Sequence, residues 1–309
     1  MALDTKLNLS NRKFEQVSSD NLNLSGTTCI HGSHIYQNGS IFNILSGTTW
    51  TIFNLSAYTC DINDSISVGY GSMPYNINAE NNIAIGNCSL STNDSGCENI
   101  GLGRCSLASN FDGCSNIGVG SDALFYNTSG TGNVAMGQNA LLCNINTSYN
   151  IAIGCDALCS NTGSTAHKNI AIGDSSLCLN ETGTNNLAIG SNVLSCNVTG
   201  SNNVGIGINI GNNSGTEGES TISIGRSINS CIHNIGQDSI AIGQELVSPA
   251  NRTIVIGYQA GDVNAVGTYG DGSISIGCRA NCCGTISSIG ANSIAMGTCA
   301  RSGGDSSIA

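Results

Sequence analysis

The sequence predicts an all-β fold, a parallel β-roll or β-solenoid built of 17-residue rungs. Three observations predict it: a recurring pentad, the even spacing of its copies, and a composition nearly empty of charge. The pentad runs small polar, aliphatic, small, aliphatic, glycine. It stands as Ser65-Ile66-Ser67-Val68-Gly69, Asn82-Ile83-Ala84-Ile85-Gly86, Asn99-Ile100-Gly101-Leu102-Gly103, Asn186-Leu187-Ala188-Ile189-Gly190 and Ser293-Ile294-Ala295-Met296-Gly297, among others. Period-2 alternation over so short a run is the signature of a strand with two unlike faces.

The closing glycines give the spacing. Gly69, Gly86, Gly103, Gly120, Gly137 and Gly154 follow one another at 17 residues; Gly173 comes 19 later, then Gly190 and Gly207 at 17 again. Beyond Gly207 the steps are 18, 18, 14, 20 and 20, through Gly225, Gly243, Gly257, Gly277 and Gly297. Insertions there are expected to bulge as loops on one side of the stack. A period of this length marks one supersecondary unit that must stack on its copies to bury anything.

Further positions keep the same period. Four residues after the glycine stand Leu90, Leu107, Leu124, Leu141, Leu158, Leu177 and Leu194. Seven after it stand Asn93, Asn110, Asn127, Asn144, Asn161, Asn180 and Asn197, and a second glycine follows in most copies. Each rung thus reads as strand, glycine turn, leucine-centred second strand, and an Asn/Gly corner whose residues tolerate positive φ. Fourteen rungs at the spacing of paired strands would extend about 65 Å.

Composition agrees. Charged residues make up 9% of 309, aromatics 5%, glycines number 41, and proline occurs only at Pro74 and Pro249. A charge at a repeated position would sit about 4.8 Å from its copy, repelling it by about 1 kcal/mol even in water. Asparagine, serine and threonine can instead hydrogen-bond along a column. The net charge of −11 without a basic cluster argues against a nucleic-acid partner. No apolar run reaches the length of a membrane span. The opening Met1-Ala2-Leu3-Asp4-Thr5-Lys6 leads into polar residues, so a cleaved secretory signal is not expected. At the other end, Ser307-Ile308-Ala309 begins a fifteenth pentad.

The Ser/Asn-Ile-Ala-Ile-Gly unit, with Thr253-Ile254-Val255-Ile256-Gly257-Tyr258-Gln259-Ala260-Gly261 as a variant, resembles the head repeats of YadA-like trimeric adhesins. The 17-residue form also resembles trimeric tail-fibre proteins of phages and fibre-like proteins of large viruses. The resemblance covers residues 62–309. It implies a left-handed roll, a homotrimeric rod, and aliphatic columns facing a shared axis. Residues 1–61 depart from the pattern and read as a distinct N-terminal β module, with alternation clearest in Thr49-Trp50-Thr51-Ile52-Phe53. The expected organisation is therefore 1–61 for trimer initiation and attachment to a larger particle or baseplate, 62–212 for regular rungs, and 213–309 for looser, YadA-head-like rungs. The expected function is a structural fibre of a virus or phage virion, engaged in host attachment through a surface receptor. The alternative is a cellular adhesin head of the trimeric autotransporter type on a bacterial surface.

Motifs of chemistry fare poorly beside the repeat. Gly118-Val119-Gly120-Ser121-Asp122-Ala123 matches a dinucleotide fingerprint, but its glycines belong to the repeat and no helix pattern follows. His31 and His34 have a spacing that could touch one metal, yet no third ligand accompanies them. Asp61 and Asp64, and Glu217 and Glu219, read as solvated loop acids. No serine, histidine and acid gather at a nucleophile elbow, so no enzymatic activity, catalytic residue, cofactor or metal site is expected. A depolymerase would need clustered acids in a groove between chains. Triplets such as Asn127-Thr128-Ser129 and Asn197-Val198-Thr199 follow from composition rather than glycosylation. The 16 cysteines include copies at equivalent places: Cys88 and Cys105, Cys97 and Cys114, Cys159 and Cys178, Cys143 and Cys196. They read as small buried hydrophobes, with cross-rung or interchain disulfides as the alternative.

Overall fold

The computed structural model describes residues 35–37, 40–42, 65–76, 78–211, 219–228, 237–246, 251–261, 268–269, 271–280, 288–289 and 291–309. The chain forms two compact units, Met1–Thr51 and Ile52–Ala309. In the first, β1 (Ile35–Gln37) and β2 (Ser40–Phe42) pair antiparallel, Tyr36 opposite Ile41. The Trp50 segment lies outside the described residues.

In the second unit every pentad forms a strand, and the strands stack in parallel. They begin with β3 (Ile66–Val68), β4 (Ile83–Ile85), β5 (Ile100–Leu102), β6 (Ile117–Val119) and β7 (Val134–Met136). The stack continues through β8 (Ile151–Ile153), β9 (Ile170–Ile172), β10 (Leu187–Ile189), β11 (Val204–Ile208), β12 (Ile222–Arg226), β13 (Ile240–Gln244) and β14 (Ile254–Tyr258). It ends with β16 (Ile274–Ile276) and β18 (Ile294–Met296). Together they make one 14-stranded sheet in which each strand bonds the rung before and the rung after. Register is kept throughout: Ile83 pairs with Ile100, Val204 with Ile222, and Ile274 with Ile294. Ile308 bridges Ile294, so the fifteenth pentad takes its place on the stack. A second parallel pair, β15 (Thr268–Tyr269) and β17 (Ser288–Ile289), joins two of the longer rungs. The remaining insertions after Gly207 lie largely outside the described residues.

The leucine segment is not the second strand that alternation suggested. It runs as turns, with Leu107, Leu124 and Leu141 at φ of 54°, 55° and 51°. Rungs still bond to each other there: the Leu107 N–H donates to the Ala123 carbonyl at 2.9 Å and that of Leu124 to Ala140 at 3.0 Å. Left-handed backbone costs a leucine about 1–2 kcal/mol. Full burial contributes about 1.5–3 kcal/mol, enough to hold it there. All seven leucines are buried to 1% exposure or less.

The inside of the coil is narrow, so neighbours share its space by size. The middle residue of each pentad points inward and faces the residue three after the previous rung's glycine. Where that residue is Ala123 or Ala140, the strand carries Ala135 or Ala152, all fully buried. Where it is Ser106 or Val193, the strand carries glycine. A Cβ on Gly118 would lie 2.8 Å from Ser106 Oγ, and one on Gly205 2.6 Å from Val193 Cγ1. Ser176 is accommodated beside Ala188 because its hydroxyl turns away to the Gly173 carbonyl, 2.9 Å off. This is volume compensation at native packing density.

The asparagines are the second correction. Those seven residues after the glycine, and those that open the pentads, are not positive-φ corner residues; they form two buried ladders. In the first, each pentad asparagine accepts from the next rung's backbone through its Oδ1, as Asn99 Oδ1 does from Asn116 N–H at 2.9 Å. In the second, Asn110 Nδ2 donates to Asn93 Oδ1 at 2.7 Å, Asn127 to Asn110 at 2.8 Å and Asn144 to Asn127 at 2.8 Å. Both ladders close on the same carbonyls: Gly113 O accepts from Asn99 at 2.7 Å and from Asn110 at 2.8 Å. The second glycine of the rung is therefore needed for proximity: a Cβ there would press on Asn110 Oδ1 and, at 2.9 Å, on Asn127 Nδ2. Thr147 replaces that glycine once and enters the ladder, its Oγ1 accepting from Asn150 at 3.0 Å and from Asn161 at 2.7 Å. The left-handed corner falls instead on the residue just before the pentad, as at Asn81, Glu98, Ser115 and Tyr149.

Candidate interaction surface

With the small middle residue turned inward, the two aliphatics of each pentad must point out. Ala84 is fully buried while Ile85 on the same strand is 43% exposed; Ala135 is buried while Met136 is 42% exposed. In-register stacking converts this alternation into two parallel files on the outer face of the sheet. One runs through Ile83, Ile100, Ile117 and Val134, the other through Ile85, Leu102, Val119 and Met136. Both continue without a charged residue from β3 to β18, a distance of about 60 Å at the usual strand spacing. A continuous apolar strip of this length far exceeds the scattered apolar residues ordinary on a protein surface.

The coil thus has two kinds of apolar column. Leucines and alanines fill its inside, and the pentad aliphatics line its outside. Sequence reading found both sets of residues but not which file holds the single coil together. The signal was present: large residues at the second and fourth pentad places alternate with residues no larger than valine at the third.

The other singled-out residues do not assemble a chemical site. Ile117–Val119 is a strand and Gly120 to Ala123 turns into the leucine segment, so no helix N-terminus meets the G-x-G-x-x-A glycines. Asp122 instead pairs with Arg104 of the preceding rung. Glu219 is exposed, while His31, His34, Asp61, Asp64 and Glu217 lie outside the described residues. Asn127 and Asn197 are fully buried in the ladder, which leaves neither side chain open to glycosylation in the folded chain. Among the described residues no three histidines, cysteines or acids gather as a metal site. No described helix is long and apolar enough to cross a membrane.

The described cysteines correct a further expectation. They lie at the edge or outside of the coil: Cys88, Cys97, Cys105, Cys114, Cys143, Cys159, Cys178 and Cys196 are partly exposed, and Cys155, Cys278 and Cys299 exposed. None is part of the buried core. Stacking brings equivalent cysteines close, as where the Cys97 N–H donates to Cys114 Sγ at 3.2 Å.

No protein-family model matches the chain, and no curated protein matches its sequence.

Proposed function

We propose that this chain is the shaft of a structural fibre on a virus or phage particle, assembled as a homotrimer and engaged in host attachment. The observation that carries the reading is the uncharged aliphatic strip on the outer face of the sheet. A single coil leaves it in water; three coils around a common axis each turn one file toward each neighbour and remove it. Closed rotational symmetry is the usual way for identical chains to satisfy such a surface without endless polymerisation. The low charge of the rungs and their self-contained hydrogen bonding suit a rigid spacer rather than a reaction centre. The resemblance to trimeric fibre and adhesin repeats supports the same arrangement, with a left-handed roll. Residues 1–61 would fix the shaft to the particle, and its far end would meet a host receptor.

Light scattering on the full chain tests the assembly. The expected mass is three times that of the 31.4-kDa chain. Ile153→Asp places a charge on the strip without touching the coil's inside and is expected to yield monomers that keep the parent's β circular dichroism. A wild-type chain that runs as a stable monomer would refute the trimer. Detecting the chain by mass spectrometry in purified particles tests the virion assignment.

A further inference from the structure

Cys159 and Cys178 occupy the same place on successive rungs, five residues after Gly154 and Gly173. Each follows a leucine with φ of 50°, so the two backbones run alike at this point. Leu158 N–H donates to Ser176 O at 3.0 Å and Ser160 N–H to Cys178 O at 2.9 Å, which fixes the two cysteines one above the other. One rung step is about 4.8 Å, inside the Cα separation that a disulfide spans. Both cysteines are partly buried.

The rung between them is the irregular one. It has 19 residues instead of 17, and its extra pair lies in the Gly163–Lys168 stretch, between Asn161 and Asn169 of the two ladders. Asn161 Nδ2 there reaches five residues forward, to Ala166 O at 3.2 Å, where its counterparts reach three.

We propose that Cys159 and Cys178 are a redox-active pair, oxidised by small disulfides such as oxidised glutathione to a cross-rung disulfide that pins the irregular rung. Cys178 is the attacking sulfur. The Cys159 thiol, holding its proton toward Cys178, brings the Cys178 pKa below the ordinary thiol value, whereas the pKa of Cys159 itself is pushed up. The thiolate, rather than the thiol, is the nucleophile. In the first exchange the Cys178 thiolate attacks oxidised glutathione, forming a mixed disulfide and releasing one glutathione thiolate, which takes a proton from solvent. Cys159 then gives up its proton and attacks the Cys178 sulfur. The protein disulfide forms and the second glutathione leaves as thiolate. Each protein sulfur loses one electron, and the glutathione disulfide is reduced to two thiols. Cys143 and Cys196 flank the pair on the adjoining rungs and add negative charge only when ionised.

The test uses the full chain in graded mixtures of oxidised and reduced glutathione, quenched by alkylation. Lys168 is exposed and lies between the two cysteines, so cutting after it decides the linkage. On a denaturing gel without reductant the fragments of the oxidised chain should stay joined, and separate when reductant is added. Peptide mapping should find the 159–178 bridge at a lower fraction of oxidised glutathione than any Cys88–Cys105 or Cys97–Cys114 bridge. Cys159→Ser should leave a glutathione adduct trapped on Cys178, and Cys178→Ser should abolish the bridge with little adduct on Cys159. Fragments that separate without reductant, or a 159–178 bridge that appears only together with the other pairs, would overturn the proposal. So would a bridge joining differently isotope-labelled chains.

Discussion

Asn127→Asp is expected to destabilise the second unit by about 3–5 kcal/mol, the range for breaking a buried polar pair so that a charge stands unpaired. Asn127 Nδ2 donates to Asn110 Oδ1 at 2.8 Å and to Gly130 O at 3.1 Å, and its Oδ1 accepts from Asn144 at 2.8 Å. A carboxylate keeps the accepting role but loses both donors, leaving its oxygen against two others in a site with no solvent exposure. The loss should depend on pH. A protonated acid can donate once, so the folded state raises the pKa of the introduced carboxyl above its unfolded value near 4. Between those two pKa values the folded chain binds more protons than the unfolded one, and stability falls as pH rises. Denaturant unfolding of variant and parent at pH 4 and pH 7 measures both effects. Asn127→Ala, which removes the groups without adding charge, should cost about 1–3 kcal/mol for the partners left unsatisfied and show no such pH dependence. An Asn127→Asp loss that is equal at the two pH values would show that the ladder tolerates a charge and that the asparagine column is not what excludes charge from these rungs.

The same ladder shows where the sequence was readable. The 17-residue period and the pentad announce a stack of parallel strands, because register is carried by identity at a fixed interval and needs no knowledge of distant contacts. What lies inside the coil is harder to read. Asparagine at the seventh place after glycine has a local explanation, a corner residue tolerant of positive φ, and a non-local one, a hydrogen-bonded column. Only the non-local one holds here. Leucine misleads in the opposite sense: nothing local favours Leu124 at a φ of 55°, and burial against the rungs above and below overrides its preference. The outward strip was half legible. Alternation shows that Ile83 and Ile85 share a face, but the width of the coil decides which face is inside, and that width is set by Ala84 and its neighbours. The cysteine pair was legible as a shared position on successive rungs, whereas its exposure was not, since cysteine elsewhere is a common core residue.

Gly137→Ala should be the more damaging of two otherwise identical substitutions, the other being Gly297→Ala. Both glycines close a pentad in the left-handed half of backbone space, at φ of +135° and +126°. An L-residue is strained at either, by about 1–3 kcal/mol. Their surroundings differ. A methyl on Gly137 would overlap the peptide of Gly154 on the next rung, within 2.6 Å of its carbonyl carbon, whereas a methyl on Gly297 meets nothing within 4 Å. The obstacle at Gly137 is backbone held in the ladder, not the end of a side chain that can swing aside. Relief requires the rungs to part, which breaks bonds such as Gly154 N–H to Met136 O at 2.8 Å. Overpacking of this kind adds about 1–3 kcal/mol to the strain. The expected total is therefore about 2–6 kcal/mol at Gly137 against about 1–3 kcal/mol at Gly297. Denaturant midpoints measure the difference, with the slope checked for two-state behaviour. Because each rung is supported only by its neighbours, the Gly137 variant should also open to protease near residues 137–154 before the rungs beyond β11 are cut. Equal losses at the two glycines would mean that φ alone governs these positions and that the coils do not approach as closely as their carbonyls imply.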